Sequence, residues 1–404
     1  MNPMKHGNRP HSPRAGMTLI ELMVTLTVGL IVIGGSYQIA NTSRRTFAEQ
    51  VRRAETQMTL RSATELLRRD IGRAGFFGVR TTNEIGTGGL LGTLGAGANN
   101  ASPTQQAAAM VKLDGAGRQQ LFLTGNFTTS DQFLVRFNQA APTTLTFQNQ
   151  RDAFQRAFLN PAMSGLDPIA AFLPERFAAA FGANPATPTV AQGRMVSVQD
   201  LATGRIFLRD ILSLDTSVGV APSLNIGSPL PIGNGSGGTI TPNALGIAPI
   251  TMYRYAVEDP TGDAELALAA GTTYMTGGSV NRFALVRREI DMRTVQDPTP
   301  SPIAGTARIV LDFLDPDQGF RIEAITDTAL LGLPPTLVRN RIPETLAFGE
   351  LLQVRGLVVQ LIANSAERAD QGSVSDRARA LAGRRFMRFE VFIPSTSRNP
   401  QLRI

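Results

Sequence analysis

A single carboxylate interrupts a long apolar segment close to the start of the chain. The segment begins at Met17, directly after Gly16, and Glu21 is its only charged residue up to Ser43. A carboxylate inside a membrane span costs about 2.5–3.5 kcal/mol on insertion scales, so such a group is usually retained for a partner. If the chain is cut between Gly16 and Met17, the new α-amino group places a positive charge near the same helix end. Glu21 can then pair with an amine of its own chain or of a neighbouring copy.

Three kinds of N-terminal segment fit part of this pattern. A secretory signal peptide has a shorter apolar core followed by a small-residue cleavage site, and no such site follows cleanly here. A plain signal anchor fits the length, because the uncharged residues 22–43 reach roughly 33 Å as a helix and cross a hydrocarbon core. An anchor alone, however, gives no reason for Glu21. Removal of the leader, residues 1–16, which contains basic but no acidic residues, provides one.

Residues 16–22 resemble the class III signal of type IV pilins and pseudopilins. In that family the prepilin peptidase cuts after the glycine and methylates the new N-terminal residue, and the glutamate of the mature N-terminus guides assembly. The resemblance therefore implies cleavage between Gly16 and Met17, N-methylation of Met17 and an assembly charge at Glu21. Met17 stands where the family usually has Phe.

A second segment resembles one particular type of protein within this family. Residues 66–78, which include Asp70, Gly75 and Gly78, resemble the signature that ends the N-terminal helix in PilW-type minor pilins. Weaker matches follow in the expected order at Tyr253-Arg254-Tyr255, Leu285-Val286-Arg287-Arg288, Val354-Arg355-Gly356-Leu357-Val358-Val359 and Ser397-Arg398-Asn399. Residues 140–250 match no part of that family and are a candidate insertion.

Two apolar stripes follow the span in a segment that contains no Pro and remains compatible with a helix. The first stripe comprises Phe47, Val51, Ala54 and Met58, and the second comprises Leu60, Ala63, Leu67, Ile71 and Ala74. The spacing predicts one amphipathic helix packed on a globular body. The change of face is interpreted as the point where the helix stops facing other subunits and starts packing on its own head.

The net charge of +7 is concentrated near the N-terminus. Residues 44–73 carry eight Arg and four acidic residues, whereas the net charge of the residues beyond them is close to zero. This positive segment would lie against anionic lipid headgroups or an acidic partner helix. A nucleic-acid-binding surface is not indicated.

The remainder of the chain has the pattern of a β-rich body. Residues 81–130 are rich in small and polar residues and are predicted to be loop. Strands are predicted over residues 132–137, 144–147, 205–212, 251–257, 282–290, 307–313, 320–326, 352–364 and 385–394. Helices are predicted over 152–159 and 170–181, the second interrupted by Pro174, and residues 227–238 read as a connector. The predicted fold class is α+β, with a long N-terminal helix packed on an antiparallel β-rich head.

Composition argues against an enzyme. The chain has no Cys, both histidines, His6 and His11, lie in the predicted leader, and Lys112 is the only lysine beyond it. Histidine general bases, Ser-His-Asp triads and thiolate or histidine metal sites are therefore excluded from the mature chain. We expect no cofactor.

Two groups of polar residues in the body each have two interpretations, one structural and one functional. Asp312, Asp315 and Asp317 precede Gly319, and these oxygen ligands form a weak candidate calcium site, although a solvated turn is favoured. Tyr253 and Tyr255 occupy alternate strand positions, which favours packing on a sheet face over an adhesive patch.

The resemblance implies a PilW-type minor pilin with a leader (1–16), a membrane-spanning assembly segment (17–43), an amphipathic periplasmic segment (44–75) and a head (76–404). Such a protein is held in the inner membrane of a bacterial envelope by a single span, with a periplasmic body, before it enters the pilus. Its expected partners are the prepilin peptidase, inner-membrane lipid, and other minor pilins and the major pilin through the helix. The alternatives are a large minor pseudopilin of a type II secretion system and, from a different class, a membrane-anchored periplasmic binding protein.

Overall fold

The structure is a computed structural model in which two compact units are distinguished, Met1–Glu55 and Thr56–Ile404. It describes residues 18–74, 109–129, 131–138, 141–148, 152–160, 172–182, 194–201, 206–216, 221–227, 230, 245–260, 263–266, 283–294, 300–315, 317–327, 337–341, 354–363 and 385–392.

One long helix, α1 (Leu19–Arg73), occupies the N-terminal part of the described chain. It contains no Pro, and its Gly residues are few enough for the helix to continue through them. The prediction of a long N-terminal helix is confirmed. Its first part belongs to the first unit, and the part from Thr56 onward belongs to the second.

Fourteen strands, joined by antiparallel pairings, make up most of the described second unit. They are β1 (Ala109–Leu113), β2 (Gln119–Gly125), β3 (Phe133–Asn138), β4 (Ala141–Phe147), β5 (Met195–Asp200), β6 (Ile206–Asp215), β7 (Ser223–Ile226), β8 (Leu245–Glu258), β9 (Phe283–Glu289), β10 (Arg308–Leu314), β11 (Phe320–Asp327), β12 (Leu337–Arg341), β13 (Val354–Ala363) and β14 (Arg385–Phe392). Two short helices, α2 (Asp152–Phe158) and α3 (Pro174–Ala180), lie between β4 and β5. The predicted α+β class with an antiparallel sheet is confirmed.

The strand β8 belongs to two sheets. Residues 251–258 pair with β2 and β9, and the sheet continues from β9 through β10 to β13, which also pairs with β11 and β14. Residues 245–250 pair with β3 and β5 instead. A long strand can serve two sheets in this way because each half presents its own backbone groups to different neighbours.

The second sheet closes into a ring. From β8 the pairing runs through β3, β4, β7, β6 and β5 and returns to β8. Closure removes unpaired strand edges. The phenylalanines of α2 and α3 pack against the apolar side chains of these strands in one hydrophobic core. Phe177, for example, lies with its ring centroid 4.8 Å from that of Phe147 and 5.2 Å from that of Phe158.

The structure corrects several sequence predictions. The prediction of loop over residues 81–130 is wrong where β1 and β2 occur, because the short buried run Leu121-Phe122-Leu123 was hidden by the polar composition around it. Pro174 begins α3 rather than interrupting a helix, as expected where the missing N–H has no partner to lose. The strand predicted from Thr251 begins at Leu245 and continues through Pro249.

Some further strands were not predicted, and some further predictions are not tested by the described residues. The strands β5, β7 and β12 were not predicted, whereas most of the others occur within a few residues of their predicted positions. Residues 75–78, 228–229, 231–238 and 397–399 lie outside the described residues, so the predicted helix end, most of the predicted connector and the last match to the PilW type are not tested. The candidate insertion also stays a prediction, although residues 140–250 contribute most of the closed ring.

Candidate functional site

The helix α1 begins with a side-chain cap. The backbone N–H of Glu21 donates to Thr18 Oγ1 at 3.3 Å, and the N–H of Leu22 donates to the Thr18 carbonyl at 3.1 Å. Thr18 and Glu21 have the Thr-x-x-Glu spacing of a capping box, and a carboxylate in the first turn interacts favourably with the helix dipole. The local fold thus supplies its own reason for an acidic residue at Glu21. Sequence reasoning missed this role, although the spacing was readable.

The apolar side chains that follow are exposed within the described structure. Leu19 is 76% exposed and Ile33 is 67% exposed, and the others from Leu22 to Ile39 are similar. The described residues contain one helix that is long and apolar enough to cross a membrane, and none of its apolar window is buried. A core helix of a soluble protein would be mostly buried. The exposed surface of α1 therefore suits lipid or the helices of other proteins.

Three threonine hydroxyls of this span are hydrogen-bonded within the helix. Thr25 Oγ1 donates to the Glu21 carbonyl at 2.9 Å, Thr27 Oγ1 donates to the Met23 carbonyl at 3.0 Å, and Thr42 Oγ1 donates to the Gln38 carbonyl at 2.9 Å. A hydroxyl without a partner is costly in hydrocarbon, so these bonds lower the cost of burying the helix in lipid.

The two apolar stripes of the second half of α1 have different surroundings. Phe47 and Met58 of the first stripe are 68% and 76% exposed. The second stripe is buried in the core that the first sheet forms, and it comprises Leu60, Ala63, Leu67, Ile71 and Ala74. The change of face therefore coincides with the start of packing on the head, as the spacing predicted. The predicted packing of an amphipathic helix on the body is thus observed for the second stripe, whereas Phe47 and Met58 of the first stripe are exposed.

A buried charge cluster fixes the end of α1 to the sheet. The Asp70 side chain is 3% exposed, and its Oδ2 accepts hydrogen bonds from the Tyr255 hydroxyl and, at 2.9 Å, from Arg287. Its Oδ1 accepts a bond from Arg69 at 3.3 Å. The guanidinium of Arg287 also stacks on the Tyr253 ring at 4.4 Å. Both tyrosines are buried, as expected for packing on a sheet face.

Burial and charge set the proton affinities in this cluster. Burial, together with the negative charge and hydrogen bond of Asp70, raises the pKa of Tyr255 well above its usual value. Burial alone would lower the pKa of Arg287, but the interactions with Tyr255, Tyr253 and Asp70 raise it. Arg287 therefore stays charged and Tyr255 stays a neutral donor through the neutral range.

The cluster extends towards the closed ring through Glu289. This carboxylate forms an ion pair with Arg194, which directly precedes β5. Burial raises the pKa of Glu289, and the charges of Arg194 and Arg287 oppose that shift. Charged groups thus connect α1 with strands of both sheets.

The comparisons with known proteins bear on the start of α1. Residues 11–37 match the family model of the prokaryotic N-terminal methylation motif. The chain thus carries the N-terminal signal of type IV pilin-like prepilins, and its apolar N-terminal helix is the single candidate membrane anchor in the described residues. This motif is typical of structural, pilin-like proteins rather than of enzymes. No curated protein and no solved structure matches the chain.

Only some of the predicted site residues lie in the part of the chain that the structure describes. Glu21 lies exposed in the first turn of α1. Gly16 and Met17 fall inside the matched motif but outside the described residues, so the cleavage and methylation positions stay predictions. Structure does bring together Asp70, Tyr255 and Arg287, which come from three of the segments that resemble PilW-type proteins.

Of the acidic residues near Gly319, Asp312 lies on β10, and Asp315 and Asp317 follow the end of that strand. Asp315 Oδ1 accepts hydrogen bonds from the backbone N–H groups of Asp317 at 3.1 Å and Gln318 at 3.0 Å. Gly319 donates to the Asp315 carbonyl at 2.8 Å, and a Cβ at this position would lie 2.3 Å from that oxygen. Among the described residues, no three acidic or histidine side chains form a group that could hold a metal ion.

Proposed function

We propose that this protein is a minor pilin of the PilW type. It is cleaved between Gly16 and Met17 by the prepilin peptidase and methylated on Met17. It then joins other minor pilins and the major pilin, helix against helix, to initiate a type IV pilus or to lie at its tip. Before assembly, α1 anchors it in the inner membrane with its body in the periplasm.

The observation that carries this proposal is the combination of the matched methylation motif with an exposed apolar helix. In the filament, neighbouring apolar helices would cover the surface that lipid covers before assembly. A Cβ added at Gly29, Gly34 or Gly35 would meet no atom within 4 Å, so nothing inside the described chain requires these glycines. Small residues in a membrane helix allow other helices to approach closely.

Glu21 has a defined part in this assembly. Its carboxylate pairs with the N-terminal amine of a neighbouring subunit, so that the cost of placing a charge among apolar helices is offset only in the correct register. The second unit has its own hydrophobic core, which includes the buried stripe of α1.

The substitution Glu21→Ala tests this role. We expect normal cleavage of the leader but incorporation into pili reduced by about tenfold or more, because a pairing worth at least about 1.4 kcal/mol is lost. Incorporation is measured by immunoblotting sheared pili and whole cells with the same antibody. Glu55→Ala is the matched control, since Glu55 lies exposed on the same helix beyond the apolar span, and it should incorporate normally. Equal incorporation of both variants and the wild type would contradict the proposed role of Glu21.

A further inference from the structure

An open groove lies beside the part of α1 that belongs to the second unit. Its described lining comprises Ser62, Glu65, Leu66, Arg68, Arg69 and Arg308, and its volume is about 680 Å³. The first five residues belong to α1, and Arg308 is the first residue of β10. All of them belong to the second unit.

The charges that line this groove are unbalanced. Three guanidinium groups face one carboxylate, that of Glu65. The nearby Asp70 offsets this excess only in part, because its single charge is shared between Arg69 of the groove and Arg287 of β9. Arg308 lies directly opposite Arg287 in the β9–β10 pairing, which places two like charges side by side.

The arginines are held in different ways. Arg68 stacks on the Phe389 ring of β14 at 5.3 Å from its centroid, and Arg69 is oriented by Asp70 at 3.3 Å. The side chain of Arg308 is exposed and makes no hydrogen bond or ion pair with the part of the chain that the structure describes. Two positioned guanidinium groups and a third with free donors suit carboxylates, which arginine binds with two parallel hydrogen bonds.

The strand β14 contacts α1 beside the groove. β14, whose Phe389 lies under Arg68, pairs only with β13 among the described strands. Its alternating residues Met387, Phe389 and Val391 pack towards the core, and Thr64 Oγ1 of α1 contacts Met387 Sδ at 2.7 Å. This packing fixes the position of the Phe389 ring on which Arg68 stacks.

From these observations we propose that the groove binds an extended acidic segment of a partner protein. The carboxylates of the segment pair with Arg308, Arg69 and Arg68, and its backbone lies along α1. This interaction is separate from the helix-to-helix contacts of the proposed function, and it neither requires cleavage of the leader nor involves Glu21.

The test uses the full chain purified in detergent and a fluorescent ten-residue peptide of alternating Glu and Val. A peptide with Gln in place of each Glu has the same shape without the charge. We expect the Glu peptide to bind at low salt and the Gln peptide to bind at least about tenfold more weakly, as measured by fluorescence anisotropy. Affinity for the Glu peptide should fall as salt rises, because exposed charge pairs are screened.

The variant Arg308→Gln assigns binding to this groove. Arg308 is exposed, so the substitution should leave the thermal unfolding temperature unchanged while it weakens binding of the Glu peptide by about fivefold or more. Arg321→Gln is the matched control, because Arg321 is an exposed arginine on a strand of the same sheet, and it should bind like the wild type.

Four results would overturn the proposal. They are no binding by the wild type, equal binding of the Glu and Gln peptides, equal loss in both arginine variants, and full displacement of the peptide by inorganic phosphate at matched ionic strength. The last result would identify a site for small anions. Leader cleavage of Arg308→Gln by the prepilin peptidase is measured in parallel, so that failure of this proposal is distinguished from failure of the proposed function.

Discussion

At the scale of single residues, the most consequential group is the buried carboxylate of Asp70. A buried charge is tolerated only when it is paired and its remaining lone pairs are bonded. Tyr255 and Arg287 meet that requirement for Asp70 from two neighbouring strands, β8 and β9. The cluster therefore attaches the last part of α1 to the sheet.

The substitution Tyr255→Phe isolates one bond of this cluster. Because the hydroxyl donates to a buried carboxylate, we expect the variant to lose about 1.5–3 kcal/mol in the free energy of unfolding at pH 7. Denaturation of the full chain in detergent by urea measures the loss. A variant as stable as the wild type would show that the hydroxyl contributes nothing.

The same substitution predicts a dependence on pH. The folded pKa of Tyr255 is raised above the ordinary value of 10.0, so its contribution is fully present below pH 10 and is lost as pH rises towards the folded pKa. Above pH 10 the unfolded tyrosine ionises while the folded one stays neutral, so the wild type loses about 1.4 kcal/mol per pH unit relative to Tyr255→Phe. The difference in stability between the two proteins should therefore shrink between pH 10 and 11. A constant difference would contradict the raised pKa.

At the scale of elements, α1 is one helix with two kinds of surface. Its earlier residues expose apolar side chains, whereas the stripe that contains Leu67 is buried against the first sheet. A 3.6-residue period shows that a helix has an apolar face, but it does not show what covers that face. The change of face between the two stripes was readable from the spacing. The structure shows that the first sheet covers the second stripe.

Leu67→Ala and Met58→Ala test this division. Leu67 is fully buried, so its truncation should lower the free energy of unfolding by about 2–5 kcal/mol. Met58 is 76% exposed, and its truncation should change stability by less than about 0.5 kcal/mol. Thermal unfolding followed by circular dichroism compares the two variants. Equal losses would mean that the first stripe is also packed on the body.

At the scale of the whole molecule, the second unit contains two main hydrophobic cores. One lies between α1 and the first sheet, and the other lies in the closed ring with α2 and α3. Residues 245–250 and 251–258 of the single strand β8 serve one sheet each. The ring and the sheet that holds α1 are therefore joined through this one strand.

The phenylalanine core of the ring should be a major source of stability. Phe177 is fully buried among other aromatic rings, so Phe177→Ala should cost about 3–5 kcal/mol in the free energy of unfolding. Phe386 is 59% exposed on β14, and Phe386→Ala is the matched control, with an expected loss below about 0.5 kcal/mol. Chemical denaturation of both variants provides the comparison, and a small loss for Phe177→Ala would argue against a packed ring.

The sequence predicted local patterns better than long-range ones. The helix, most strands and the two stripes follow from periodicity, and the class III signal follows from residues 16–22. The closure of the ring could not be predicted, because it depends on the pairing of β5 with β8, and Pro249 made the first half of β8 look like a break. The partners of Asp70 lie on strands distant in sequence, so spacing alone could not place Tyr255 and Arg287 beside it.

The central claim is that this chain is a prepilin whose leader is removed. The most direct test is to express the full chain with and without prepilin peptidase and to determine its N-terminal residue by mass spectrometry. We predict a chain that begins with methylated Met17 when the peptidase is present and an uncleaved chain when it is absent. The same uncleaved N-terminus in both cultures would contradict the account.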